Sequence, residues 1–243
     1  EELEINLFKN HLFFSSQITS DNIFSDIVKS KDSRIRKLKS YLLKLSNNPP
    51  FWNDTQIHDC NNSVYFYNLE NICNSSLAES SQRDKVILSF THNKFLNEKI
   101  EIKKDEDIIN LFNLINCNHF LDYLYLIDKI SPLNFCLNRY KKTNLDFTQL
   151  EEAYGFDILN AEQIQAYLNS FMKFSLMKWK DIDSDGGFQY KPYNGDIFKN
   201  TKYSAEKIKK FRISQLYRCF GFRNDNIFYV LRFEIDHKIS DKG

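Results

Sequence analysis

The C-terminal stretch Phe211-Arg-Ile-Ser-Gln-Leu-Tyr-Arg-Cys-Phe-Gly-Phe222 is followed by Arg223-Asn-Asp-Asn226 and then by Ile227-Phe-Tyr-Val-Leu-Arg-Phe-Glu-Ile235. The two outer segments are rich in aromatic and branched residues, which favour strands. The four residues between them have the length and composition of a hairpin loop. The sequence therefore predicts a β-hairpin with strands over 211–222 and 227–235, followed by Asp236-His237-Lys238.

The predicted hairpin gathers three residues that suit phosphate chemistry. Alternation along a strand places Arg212 and Arg218 on one face. In an antiparallel hairpin the end of the second strand lies beside the start of the first, so we expect His237 near Arg212. A histidine and two arginines can shuttle a proton and stabilise the charge of a phosphodiester. The alternative is an ordinary hairpin with surface arginines and no active site.

Charge is distributed unevenly along the 243 residues. Residues 201–243 carry ten Lys and Arg against five Asp and Glu, whereas residues 1–200 carry 23 against 27. A basic end favours an anionic partner there, although a solvated surface with uneven charge is an equal alternative. No apolar run approaches the roughly 18 residues of a membrane span, so we expect no membrane partner. The five cysteines include no CxxC, which predicts free thiols in a cytoplasmic protein.

The rest of the chain predicts an α+β fold with helix predominating. Helical periodicity covers 23–45, 107–130, 147–154 and 161–177, whereas 85–90 and 99–103 have the pattern of strands. Arg34, Arg36, Lys37 and Lys39 lie between the apolar positions of the first helix, where they would contact phosphates or simply form its solvated face. The predicted organisation is a helix-rich mixed domain over 1–178, of unassigned role, and a small antiparallel-sheet domain over 179–243.

The segment 179–243 resembles the end of RelE/YoeB/HigB-like toxins, which are compact mRNA endonucleases. The resemblance rests on the arginine-bearing strand 211–222, the apolar strand 228–233 and the terminal Asp236-His237-Lys238. It implies a toxin or phage-defence endonuclease that cleaves RNA, on the ribosome or free of it, through the RNA 2′-hydroxyl. Neither a metal nor a cofactor would be needed.

The resemblance also implies roles for individual residues. Arg218 matches the arginine that stabilises the scissile phosphate, His237 the terminal general acid and Arg212 the basic residue at the start of the strand. Lys191, Asp196 and Glu206 all compete for the general base. The residues expected to contact RNA, by base stacking or by charge, are Tyr190, Lys191, Tyr193, Lys209, Lys210, Tyr217 and Lys238.

Three alternatives stay open at this point. Asp236-His-Lys238 is also a D-x-K triplet, which with Asp225 would hold Mg²⁺ in a metal-dependent nuclease. A zinc site would draw on the histidines and cysteines at positions 58, 60, 73, 92, 117 and 119. The chain would otherwise be an interaction subunit without an active site, bound to an antitoxin or to another protein of a bacterial defence assembly.

Overall fold

A computed structural model of the protein describes residues 23–47, 57–73, 75–83, 85–89, 96–97 and 99–240. The chain divides into two compact units, residues 1–123 and 124–243. The fold is mixed α+β, and the described residues form helices and two five-stranded sheets. The boundary predicted after residue 178 falls inside the second unit, because a helix and a strand that precede it belong with the C-terminal strands.

The described part of the first unit opens with two helices, α1 (Phe24–Lys29) and α2 (Arg36–Asn47). A single helix was predicted over 23–45, but the chain leaves the helical conformation at Ser30. The side chain of Asp32 then accepts the backbone N–H of Arg34 and begins a 3-10 turn, Ser33–Ile35. Phe24, Ile27 and Leu42 are buried together and join the two helices.

The first sheet has the order β2-β1-β4-β5-β3. Only β3 and β5 pair in parallel among its described strands. The bounds are β1 Tyr65–Tyr67, β2 Glu70–Asn71, β3 Val86–Leu88, β4 Lys99–Lys104 and β5 Asp107–Leu114, with helices α3 Ser76–Gln82 and α4 Cys117–Leu126. The strands predicted at 85–90 and 99–103 are confirmed as β3 and β4.

The helix predicted over 107–130 is wrong in its first part. Residues 107–114 form β5, which pairs with β4 from Lys99↔Phe112 to Lys104↔Asp107. The hairpin turns at Asp105, which adopts a left-handed φ of 51° without the glycine that usually signals such a turn. When the turn is not recognised, a short apolar run fits the helical period as well as the strand period. The helix begins only at Cys117.

The second sheet has the order β6-β10-β9-β8-β7, and among these strands only β6 pairs in parallel. Helix α6 confirms the helix predicted over 161–177, whereas 147–154 contains only a 3-10 turn, Glu152–Tyr154. The bounds are α5 Pro132–Arg139, β6 Leu145–Asp146, α6 Ala161–Leu176, α7 Trp179–Ser184, β7 Lys191–Pro192, β8 Ile208–Arg212, β9 Arg218–Asn224 and β10 Ile227–Glu234.

The predicted strand 211–222 is in fact two strands joined by a tight turn. The N–H of Ile213 donates to the carbonyl of Tyr217, and the Ser214 hydroxyl accepts the N–H of Leu216 and Tyr217. The C-terminal region is therefore a three-stranded meander and not a two-stranded hairpin. Arg212 and Arg218 still share a face, because they are cross-strand partners in β8 and β9.

Helix α6 covers one face of the second sheet with aromatic side chains. Phe171 lies 5.8 Å from Phe233 and Phe174 lies 4.7 Å from Phe211, measured between ring centroids. Phe211, Cys219 and Phe233 form one cross-strand row, so the next row, Arg212, Arg218 and Glu234, points to the opposite face. The fold thus separates an aromatic face from a face that carries the charged side chains.

Candidate functional site

The charged face of the second sheet contains ionisable side chains that are almost completely buried. Lys210, Arg218 and Glu234 are only 4%, 6% and 3% exposed. Burying charge is unfavourable unless each group is paired or hydrogen-bonded. The partners of these three groups therefore decide which of them are available to a ligand.

Arg218 is held in place by the turn that precedes its own strand. Its Nη1 donates to the carbonyls of Ser214, Gln215 and Tyr217, at 2.7, 3.2 and 2.9 Å. Its Nη2 lies 2.5 Å from Nε2 of His237. The guanidinium therefore has a fixed orientation, and in this conformation it braces the β8–β9 turn.

His237 reaches Arg218 from the segment after β10. Its backbone adopts a left-handed φ of 60°, which reverses the chain just beyond the strand. Because a guanidinium can only donate, Nε2 of the imidazole accepts this hydrogen bond. An Nε2 that accepts from Arg218 has its only lone pair engaged and no proton to donate, which differs from the general-acid role that the resemblance implies.

Arg212 stands directly opposite Arg218 at the end of β8 and β9. Its backbone N–H donates to the carbonyl of Phe188 at 2.6 Å. Its side-chain Nε is buried and has no hydrogen-bond partner among the described residues. Like charges directly opposite each other on neighbouring strands destabilise a sheet. Among the described residues, no anion at Arg212 compensates this repulsion.

The three residues predicted for catalysis are therefore brought together at one corner of the second sheet. We call Arg212, Arg218 and His237 the arginine corner. It joins a fixed, buried guanidinium, a second guanidinium with an unsatisfied nitrogen and an imidazole acceptor. Of the three candidate bases, Asp196 pairs with Lys199 at 2.6 Å, and Lys191 and Glu206 are exposed.

Lys210 and Glu234 fasten the C-terminal segment over the charged face. Oε1 of Glu234 accepts the N–H groups of Ile239 and Ser240, at 2.5 and 2.9 Å. Nζ of Lys210 donates to the carbonyl of Ser240 at 2.5 Å and lies 5.3 Å from the ring centre of Tyr193. Lys210 was predicted to contact RNA, but its burial gives it a structural role.

The other predicted RNA contacts divide between core and surface. Tyr193 is 6% exposed and packs against Phe220, and Tyr217 stacks on Tyr167 with ring centroids 6.1 Å apart. Both rings are engaged inside the protein, so the structure does not favour base stacking by either. Lys238 is exposed and pairs with Asp236 at 2.6 Å, and this ammonium lowers the pKa of the Asp236 carboxyl.

Tyr190 and Lys209 do come together, at the edge formed by β7 and β8. Nζ of Lys209 lies 5.5 Å from the ring centre of the half-buried Tyr190. Lys191 is exposed, but it pairs with Lys210 and so lies on the opposite face from Lys209. Lys209 and Arg212 are three residues apart in β8, so the contact of Lys209 with Tyr190 and the arginine corner lie on opposite faces of the sheet.

The structure removes the alternative in which Asp225 and Asp236 share a magnesium ion. Asp225 lies in the turn before β10 and Asp236 follows its end, so the whole eight-residue strand separates them. At about 3.4 Å per residue, the strand holds the two carboxylates more than roughly 25 Å apart. Among the described residues, no group of three or more His, Cys, Asp and Glu side chains could hold a metal ion.

The zinc alternative also loses its ligands. Cys60 and Cys73 form a disulfide, so the prediction of five free thiols is wrong for these two. The tight β1–β2 turn at Asn68 and Leu69, both with left-handed φ, brings the two cysteines together, and no spacing motif reveals it. His92 lies outside the described residues.

The prediction of no membrane span is a separate matter. Among the described residues, no helix is long and apolar enough to cross a membrane.

Sequence reasoning missed a buried ion-pair network in the first unit. Glu79 is 2% exposed and accepts from His58 Nδ1, from Arg83 Nε and from the N–H groups of Ile57 and His58. Burial raises the pKa of Glu79, but the hydrogen bonds from His58, Arg83 and the backbone outweigh it and lower this pKa overall. The Nε2 of His58 lies 2.8 Å from the carbonyl oxygen of Cys73 and donates a hydrogen bond to it.

No family model, curated protein or solved structure matches the chain. The resemblance of residues 179–243 to RelE-like toxins therefore stays a prediction from the sequence. Three of the residues in this segment, Arg212, Arg218 and His237, lie together at the arginine corner.

Proposed function

We propose that the second unit binds single-stranded RNA and holds one of its phosphate groups at the arginine corner. The observation that carries the proposal is the buried, unsatisfied Nε of Arg212, directly opposite the buried guanidinium of Arg218. A phosphate oxygen would satisfy this donor and offset the repulsion between the two cations. Arginine suits this role, because its planar donors match the oxygens of a phosphate.

The fixed orientation of Arg218 supports the same proposal. Three backbone carbonyls and His237 already hold its guanidinium, so little side-chain entropy would be lost when an anion arrives beside it. Arg212 would supply the direct contact, because its Nε has no hydrogen-bond partner within the described residues. Arg218 would then act mainly through its charge and by positioning the turn.

RNA is the favoured anion for two reasons. The resemblance of 179–243 to RelE-like toxins implies RNA as the partner. The edge at Tyr190 and Lys209 adds a lysine placed over an aromatic ring, a combination that suits unpaired bases and the phosphates between them. The two surfaces would contact different nucleotides of one strand.

The binding proposal is tested with Arg212→Gln and a matched control, Lys173→Gln. Lys173 is an exposed cation of the same unit, but it lies on α6, which covers the aromatic face. We expect Arg212→Gln to weaken the binding of a labelled single-stranded RNA about tenfold, from the loss of one charge-assisted contact. Equal affinities of the two variants in fluorescence anisotropy would exclude a phosphate at Arg212.

A second candidate function is metal-independent RNA cleavage, favoured by the contact between His237 and Arg218. Once the bound phosphate draws Arg218 away from it, Nε2 of His237 would take the proton of the 2′-hydroxyl, whose oxygen attacks phosphorus and displaces the 5′-oxygen of the next nucleotide; this oxygen would take a proton from water. Arg212 and Arg218 would stabilise the charge that develops on the phosphate. The products would carry a 2′,3′-cyclic phosphate and a 5′-hydroxyl.

Cleavage is separated from binding by His237→Asn. We expect this variant to bind RNA with little change and to lose cleavage. Cleavage by the wild-type protein should persist in the presence of a chelator. If the wild-type protein binds RNA but yields no cyclic-phosphate ends, the second unit is an RNA-binding module without an active site. If cleavage stops in chelator, the metal-independent mechanism is wrong.

A further inference from the structure

Helix α2 and the residues before it are unusually basic for the unit that contains them. Residues 23–47 carry seven Lys and Arg against two Asp, although residues 1–123 as a whole carry 14 against 17. Helix α2 itself, Arg36–Asn47, has four cations and no acidic residue. The local excess of positive charge is therefore concentrated on one short helical segment.

Part of the apolar surface of α2 is covered within the protein. Leu42 is 2% exposed and packs with Phe24 and Ile27 of α1, whereas Leu38 stays 37% exposed. A helix that lies in a membrane surface needs a continuous apolar side for the lipid. The available surface of α2 carries more cations than apolar side chains, which suits a hydrophilic anionic partner.

The available side of α2 presents cations together with an exposed aromatic ring. Arg36, Lys37 and Lys44 are exposed, and within the described residues none of them forms an ion pair. Tyr41 is 57% exposed, with Nζ of Lys37 5.8 Å from its ring centre. A groove of about 470 Å³ along the helix is lined by Arg36, Lys39, Ser40, Leu43, Lys44 and Asn47.

The placement of these cations does not serve the stability of the helix. Arg36 and Lys37 occupy the first turn, where the partial positive charge of the helix dipole disfavours cations. No acidic side chain in α2 compensates them at helical spacing. A bound anion would offset both effects.

We propose that the exposed side of α2 contacts the phosphate backbone of a nucleic acid duplex. Arg36 and Lys44 are eight residues apart, which places them about 12 Å apart along the axis on the same side. Together with Lys37 they would neutralise neighbouring phosphates, while the Ser40 side chain adds a hydrogen-bonding group between them. This surface lies on the first unit and does not depend on the arginine corner.

The proposal is tested with Arg36→Gln, Lys37→Gln and Lys44→Gln combined in the full chain. Glutamine keeps a high helix propensity, so the helix is preserved. The control combines Lys99→Gln, Lys103→Gln and Lys129→Gln, three exposed cations elsewhere, and it changes the net charge equally. The probes are labelled RNA and DNA duplexes of mixed sequence and vesicles of phosphatidylcholine with phosphatidylserine.

We expect the α2 variant to bind at least one of the duplexes about tenfold or more weakly than the control variant, with a shallower dependence on salt. The RNA and DNA arms identify which duplex is bound. Equal duplex binding by the two variants would overturn the proposal. Loss of vesicle binding with unchanged duplex binding would also overturn it and assign the surface to an anionic membrane.

Discussion

At the scale of single residues, Glu79 is the most heavily engaged carboxylate of the first unit. It receives hydrogen bonds from His58, from Arg83 and from two backbone N–H groups, at 2% exposure. Removing its charge leaves the buried His58 without its partner. We therefore expect Glu79→Gln to lower the free energy of unfolding by about 3–5 kcal/mol in urea denaturation, whereas the exposed Glu101→Gln changes it little.

The lowered pKa of Glu79 also predicts how stability depends on pH. A carboxyl whose folded pKa lies below its ordinary 4.5 stabilises the fold above that value, and it loses this contribution as pH falls through the folded pKa. Between about pH 5 and pH 3 the wild-type protein should therefore lose stability more steeply than Glu79→Gln. Parallel stability curves for the two proteins would show that Glu79 is not paired.

The cysteines make a prediction that alkylation can check directly. Cys60 and Cys73 are joined, while Cys117, Cys136 and Cys219 are free. Under denaturing, non-reducing conditions, mass spectrometry should find three alkylated thiols, and it should find five after reduction. Five alkylated thiols without reduction would contradict the bond. The double variant Cys60→Ser, Cys73→Ser should lower stability by about 2–4 kcal/mol.

At the scale of elements, the pairing of β9 with β10 requires a glycine at position 221. A Cβ there would lie 2.2 Å from the Tyr229 carbonyl oxygen and 2.6 Å from Cζ of Phe228. We expect Gly221→Ala to lower the free energy of unfolding by about 1–3 kcal/mol, because buried backbone must shift. Gly186→Ala is the control, since no heavy atom lies within 4 Å of its added Cβ. Equal stabilities would mean that the two strands are not paired as described.

The sequence revealed helices with clear caps and strands with clear alternation, and it missed turns that use residues without a glycine signal. Helix α6 has a capping box, Asn160 with Gln163, and was predicted correctly. The β4–β5 turn uses Asp105 with left-handed φ, and the β8–β9 turn depends on Ser214 and the Arg218 side chain. Such turns are set by tertiary contacts, so β5 was taken for helix and the meander for a hairpin.

The sequence predicted which residues lie together at the candidate site, but it did not predict their burial or their contacts. Strand pairing places Arg212 opposite Arg218, and His237 reaches Arg218 from the segment that follows β10. The burial of Lys210, Tyr193 and Arg218 depends on the C-terminal segment and on the turns that cover the sheet, and no local pattern encodes it. Likewise, the network around Glu79 joins residues about 20 positions apart, which no short motif shows.

At the scale of the whole molecule, the two units differ in charge and in the proposed contact. Residues 1–123 carry 14 Lys and Arg against 17 Asp and Glu, and residues 124–243 carry 19 against 15. The positive excess of the second unit lies in residues 201–243, with ten Lys and Arg against five Asp and Glu, whereas the first unit concentrates its cations on α2. Neutralising phosphates releases counterions, so every proposed contact should appear in the salt dependence of binding.

The most direct test of the account is the salt dependence of single-stranded RNA binding by the wild-type protein, Arg212→Gln and Lys173→Gln. A phosphate at the arginine corner predicts that the slope of log Kd against log salt concentration falls by about 0.7 in Arg212→Gln, the value for one phosphate of a single strand. The slope of Lys173→Gln should equal that of the wild type. Equal slopes for all three proteins would contradict the account, because no phosphate would then be neutralised by Arg212.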